Sequence, residues 1–141
     1  MKFVLDASVG AKAALPELDS DKAIILLDQY RSGLLDVMAP DFYPIEVVHS
    51  ITRAERQGRI TRTEGMAALQ YLLPLLPAMQ VSLPLVPRAY EISSQARIGV
   101  HDCIYLALAE RERCELVTAD EKLVRNLQGQ FPFIRSLATL P

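Results

Sequence analysis

Asp6, Glu46, Asp102 and Asp120 are the residues of this 141-residue chain whose types and settings could do chemistry. Asp6 directly follows the apolar run Phe3, Val4, Leu5, and Asp120 closes a second such run, Leu116, Val117, Thr118. Asp102 opens the apolar stretch GVHDCIYLALAERE, residues 99 to 112, and Glu46 lies just beyond Pro44 in DFYPIEVVHSITRAERQG. Helix capping accounts for Asp102 and for Asp120 taken singly, at roughly 0.5–2 kcal/mol each. Glu46 taken singly reads as a solvated helix acid. Asp6 resists such treatment, because a lone carboxylate at the end of a buried strand costs several kcal/mol unless it is protonated or paired. Among the basic residues within several positions of these acids, only Lys12, Arg53 and Lys122 are placed to pair with them. Clustered carboxylates raise one another's pKa, whereas a divalent cation reverses the effect. Mg²⁺ or Mn²⁺ is the natural partner: a hard ion takes oxygen ligands and keeps several waters, one of which can become a nucleophile.

Convergence of four acids so far apart in sequence requires a frame. Residues 3–5 read as a buried strand ending at Asp6, with a helix following over 9–15. A second helix spans 20–32, stopped by Gly33, and a strand over 34–39 precedes Pro40. Residues 41–58 read as a long helix with proline tolerated in its first turn, and Glu46, His49, Ser50 and Arg53 share one face of it. A helix over 61–73 ends at Pro74. A strand is expected over 81–86 despite Pro84, then a helix over 88–97, the Asp102 helix, a strand over 116–118, a helix over 121–127 and a last strand over 133–137. Strands alternating with helices imply an α/β fold with a mostly parallel sheet covered on both faces. In such sheets ligands bind outside the carboxyl ends of the strands, where Asp6 and Asp120 fall and where the helices of Asp102 and Glu46 begin.

Length suits one domain over residues 1–141, with no linker, repeat or low-complexity segment. A net charge of −2 argues against a tight, charge-driven grip on nucleic acid but leaves transient substrate binding open. Aromatic residues are only 6% of the chain, too few for a stacking platform. Arg53, Arg56, Arg59 and Arg62 recur at every third position, where Arg53 and Arg56 could guide a nucleic-acid backbone, although the interleaved Glu55 and Glu64 also suit a solvated face. Cys103 and Cys114 show no metal-ligand spacing and read as buried free thiols, which fits a reducing cytoplasm. The start carries an acid at position 6, against an export signal, and the most apolar stretch, YLLPLLPAMQV, is short and broken by Pro74 and Pro77, against a membrane span. Residues 66–79, MAALQYLLPLLPAM, hold more apolar surface than one helix face can bury, which points to a homodimer.

The chain resembles the PIN-domain ribonucleases, especially the VapC-like toxins of toxin–antitoxin pairs. The resemblance runs over nearly the whole length and is carried by LDASV at 5–9, LPE at 15–17, APDFYPIEVVHSI at 39–51, HDCIYLALAE at 101–110 and LVTAD at 116–120. It implies a three-layer α/β/α fold, an acidic site at Asp6, Glu46, Asp102 and Asp120, and supporting hydroxyls at Ser8 and Thr118. It implies as well a Mg²⁺- or Mn²⁺-dependent endoribonuclease that hydrolyses RNA phosphodiesters, with Asp6 and Asp102 as direct ligands, Glu46 and Asp120 holding water or a second ion, and a cognate antitoxin as partner. His49 stands where relatives commonly carry Asn, and His101 where many carry Tyr. Either could alter substrate contacts or pH dependence. The competing readings are a PIN-like chain that binds a partner without catalysis and a receiver-like interaction module. A receiver would place adjacent acids after its first strand, where this chain has the single Asp6.

Overall fold

The computed structural model describes residues 1–141. Five short strands, Lys2–Leu5 (β1), Asp36–Pro40 (β2), Ala78–Gln80 (β3), Glu115–Thr118 (β4) and Ile134–Ser136 (β5), form one all-parallel sheet in the order β3-β2-β1-β4-β5. Seven α-helices, Ala7–Ala14 (α1), Ser20–Arg31 (α2), Tyr43–Arg56 (α3), Arg62–Leu72 (α4), Val86–Ala96 (α5), Val100–Glu112 (α6) and Glu121–Leu127 (α7), complete a three-layer α/β/α architecture. Central strand β1 pairs with β2 on one side and β4 on the other, Val4 lying level with both Met38 and Leu116. Chain order therefore runs outward from β1 in one direction to β3, then resumes at β4 on the other side. Such a reversal leaves a crevice at the carboxyl ends of the two strands that flank it, here β1 and β4.

The core follows from how much of each element can be buried. Phe3, Val4 and Leu5 are all buried, as a strand covered on both faces requires. In α6, Cys103 through Ala109 are buried without interruption, so this helix runs through the interior and packs on α5 and the central strands. Helix α3 is amphipathic instead, burying Tyr43, Val47, Ile51 and Ala54 at helical spacing and leaving its other face open. Thr61 and Glu64 close a reciprocal capping box at the start of α4. Close approach of α1 to α3 depends on Gly10, where an added Cβ would overlap the Tyr43 hydroxyl.

Two sequence expectations need correction here. The strand expected over 81–86 lies earlier, at Ala78–Gln80, and Leu83–Leu85 form a 3₁₀ turn. Pro84 cannot donate to a ladder, and the Ser82 N–H and hydroxyl both bond the Asp41 carboxylate, which turns the chain away from β2. Both cysteines are free, but only Cys103 is fully buried; Cys114, between α6 and β4, is partly buried against the core. No helix is long and apolar enough to cross a membrane.

Candidate active site

Asp6 sits between β1 and α1, its N–H bonded to the Val117 carbonyl at 3.0 Å, so that the ladder to β4 carries one residue past the strand. Its side chain is 7% exposed and makes no capping bond to α1. Instead, Asp6 Oδ2 accepts hydrogen bonds from Ser8 Oγ at 2.8 Å and Thr118 Oγ1 at 2.7 Å. Ser8 Oγ also accepts from the Ala119 N–H at 3.0 Å, and Thr118 Oγ1 from the Asp120 N–H at 3.0 Å. Two hydroxyls thus bolt the end of β1 to the end of β4 and favour the charged form of the carboxyl against the cost of its burial.

The other acids arrive from three helix starts. Asp120 is the N-cap of α7, Oδ1 accepting from the N–H groups of Lys122 at 3.1 Å and Leu123 at 3.2 Å. Asp102 does not cap its helix, contrary to the sequence expectation. Helix α6 begins at Val100 with Gly99 as N-cap, and Asp102 lies inside the first turn without a hydrogen bond to the protein. Its charge suits the helix N-terminus, while both oxygens stay free. Glu46, in the first turn of α3, accepts a hydrogen bond from Tyr105 Oη at 2.9 Å. Sequence reasoning did not single out Tyr105, whose side chain is only 1% exposed. The available signal was its position three residues after Asp102, on the same helix face.

Asp6, Glu46, Asp102 and Asp120 line one open cleft of about 630 Å³, together with Ser8, His49, Ser50 and Arg53. Arg56 does not line this cleft, and His101 is turned aside with its ring edge-on to Phe42 at 4.9 Å. None of the eight ion pairs of the protein involves any of the four acids. Lys12, near Asp6 in sequence, is paired with Glu17 instead.

The uncompensated charge shows in the ionisation of the cluster. Burial pushes the Asp102 carboxyl up to about 6, and the charges of Asp6, Asp120 and Glu46 add to the rise. Burial also raises Asp6, against the pull of the Thr118 and Ser8 hydroxyls, and raises Glu46, against the pull of the Tyr105 hydroxyl. The Tyr105 phenol, raised strongly by burial and by these same acids, stays a hydrogen-bond donor. This all-oxygen donor set, with carboxylates crowding one another, fits a hard divalent cation. No three acidic, histidine or cysteine side chains converge into a closed metal cage. The fit is therefore to an ion that keeps most of its water and takes one or two carboxylates, which is the habit of Mg²⁺.

Residues 3–126 match the family model of the PIN domain. The chain belongs to the PIN-domain family. Within that family it is VapC-like: over 130 residues it is 32% identical to ribonuclease VapC9 of Mycobacterium tuberculosis, covering 92% of this chain and 94% of the relative. PIN-domain architecture agrees with the fold. The crystal structure of PAE2754 from Pyrobaculum aerophilum superposes with a TM-score of 0.68 at 20% identity, over 99% of this chain and 94% of that one. VapBC2 from Rickettsia felis, solved bound to a DNA fragment from its promoter, superposes at 0.65 and 15% identity, over 96% and 98%.

Proposed function

We propose that this PIN-domain protein is a metal-dependent endoribonuclease that acts as the toxin of a toxin–antitoxin pair. The observation that carries the reading is the cleft in which four carboxylates meet with none of them in an ion pair, in a chain whose relative is named a ribonuclease. When bound, Mg²⁺ or Mn²⁺ would lower the pKa of water and offset negative charge developing on a phosphodiester. Asp6 and Asp102 would hold the ion: Asp6 because two hydroxyls fix the direction of its carboxyl at the end of β1, Asp102 because both its oxygens are free of protein hydrogen bonds. Glu46 has one oxygen on Tyr105 and leaves the other for water, and its raised pKa makes it a better proton acceptor than an exposed glutamate. Asp120 uses Oδ1 as the helix cap and leaves Oδ2 for water in the cleft.

An antitoxin partner is part of the same proposal, supported by the VapC-like relationship and by the VapBC2 neighbour. An arginine from that partner, set among unpaired carboxylates, would occupy the position of the cation. The deciding experiment is incubation of a mixed RNA pool with the protein in Mg²⁺ or Mn²⁺ and in chelator. Cleavage confined to the metal-containing reactions is expected, and cleavage that survives chelator would overturn the metal reading.

A further inference from the structure

A second cavity, of about 340 Å³, opens beside the acidic cleft and has the opposite charge. Ser8, Ser50 and Arg53 line both spaces, so the two adjoin across the hydroxyl that holds Asp6. Beyond that shared wall the second cavity is lined by Lys12 of α1, Glu17 of the α1–α2 connection and Arg59, just past the end of α3. Glu17 binds both cations, Lys12 Nζ at 3.3 Å and Arg59 Nη1 at 3.2 Å. Lys12 is held with its side chain only 22% exposed. Arg53 takes part in none of the ion pairs.

A purely structural pair between Glu17 and one cation would tie the α1–α2 connection to the rest of the fold without leaving charge over. Here three cations face one carboxylate across the same small space, and the surplus is two positive charges in a chain that is acidic overall. Glu17 fixes the direction of two of the cations, which removes part of the rotamer entropy that long side chains lose on binding. Arginine and lysine so arranged match the oxygens of a phosphodiester.

From this juxtaposition we propose that the Lys12–Arg53–Arg59 pocket is a phosphate subsite, which holds the RNA backbone phosphate neighbouring the one placed over the acids. The proposal rests on the ribonuclease reading of the cleft. It assigns Lys12, Arg53 and Arg59 to substrate binding and Glu17 to positioning two of them.

The test separates binding from cleavage. Anisotropy of a labelled mixed-sequence single-stranded RNA is measured in chelator over a range of salt for wild type, for Arg53→Gln/Arg59→Gln, and for Arg31→Gln/Arg125→Gln. The last pair removes equal charge from surfaces that line neither cavity. The first double variant should bind about 10-fold more weakly and lose about 0.7 from the salt slope, the share of the single backbone phosphate that the pocket holds. The control should stay within about two-fold of wild type. In Mg²⁺, a single neutral methylphosphonate linkage beside the cut should slow wild type about 10-fold and the Arg53→Gln/Arg59→Gln protein much less. Equal weakening in both double variants, wild-type affinity in the first, or equal methylphosphonate sensitivity in wild type and variant would overturn the subsite. So would loss of antitoxin binding with RNA binding intact, which would give the pocket to an acidic protein segment. A wild type that shows the expected binding pattern yet never cuts RNA would overturn the ribonuclease reading alone.

Discussion

At the scale of single residues, the site is a conflict between charge and burial that the protein leaves unresolved. Asp6→Asn or Asp102→Asn keeps the shape of the side chain and removes the charge that would hold a cation, so RNA cleavage should fall at least about 100-fold in either variant with circular dichroism unchanged. Asp102→Asn has a readout in stability as well. The Asp102 carboxyl, raised to about 6 from an ordinary 3.8, binds its proton more tightly folded than unfolded. The metal-free protein therefore loses stability as pH rises between about 4 and 6 and remains at the lower value above that. Asp102→Asn should remove that loss, and its melting temperature in chelator at pH 7.5 should exceed that of wild type by about 3 °C, near 1 kcal/mol after allowance for partial exposure. Equal melting temperatures at pH 7.5 would show that Asp102 is not strained by its neighbours. Tyr105→Phe supplies a further check. The phenol holds the Glu46 pKa down, so its loss should move the acid limb of the pH–rate profile to higher pH and lower kcat about 10-fold near neutrality. An unmoved limb would separate Glu46 from proton transfer.

Elements place these residues, and they also decide what could be read without a structure. Asp6 and Asp120 were legible because each ends an apolar run short enough to be one buried strand, and in a parallel sheet all such ends lie on one edge. Less legible was the start of α6. His101 and Asp102 look like an entry signal, yet Gly99 takes the cap with its backbone alone, and no side-chain pattern announces that. The displaced β3 has a similar cause: the pairing of Ala78–Gln80 with Met38–Pro40 is a long-range fact, whereas the apolar 81–86 run is a local one. Glu17 sits in the LPE stretch that the sequence marks and Lys12 lies five residues before it, but Arg59 reaches Glu17 only through the packing of α1 on α3. That packing has its own test at Gly10. Gly10→Ala would push a methyl into Tyr43 Oη and leave it 3.2 Å from Tyr43 Cζ, so it should destabilise the fold by about 1–3 kcal/mol although alanine favours a helix. Combination with Tyr43→Phe should recover part of that loss, as chemical denaturation of both single variants and the double variant would show. Additive losses would place the strain elsewhere.

For the whole molecule, the open question is what covers the surface that folding leaves apolar. Of the segment over 66–79, Ala68, Leu72 and Leu75 are buried in the monomer, while Met66, Leu73 and Met79 remain 54%, 49% and 47% exposed. The exposed Val48 stands near Met66 across the groove between α3 and α4. Scattered exposed aliphatics need no explanation, but these fall on adjoining elements around one edge of the sheet. A second copy of the chain is the partner expected there, because a two-fold interface brings the same patch to itself and doubles the apolar area removed from water. Light scattering at tens of micromolar should give about twice the monomer mass of 15.7 kDa. Leu73→Glu should convert the protein to a monomer without loss of helix signal, since this side chain contributes little to the monomer core. A wild type that elutes as a monomer, or a Leu73→Glu protein that remains a dimer, would assign the patch to another partner. The same variant distinguishes dimerisation from catalysis: all four acids and the pocket beside them belong to one chain, so a folded monomer should retain metal-dependent cleavage per site.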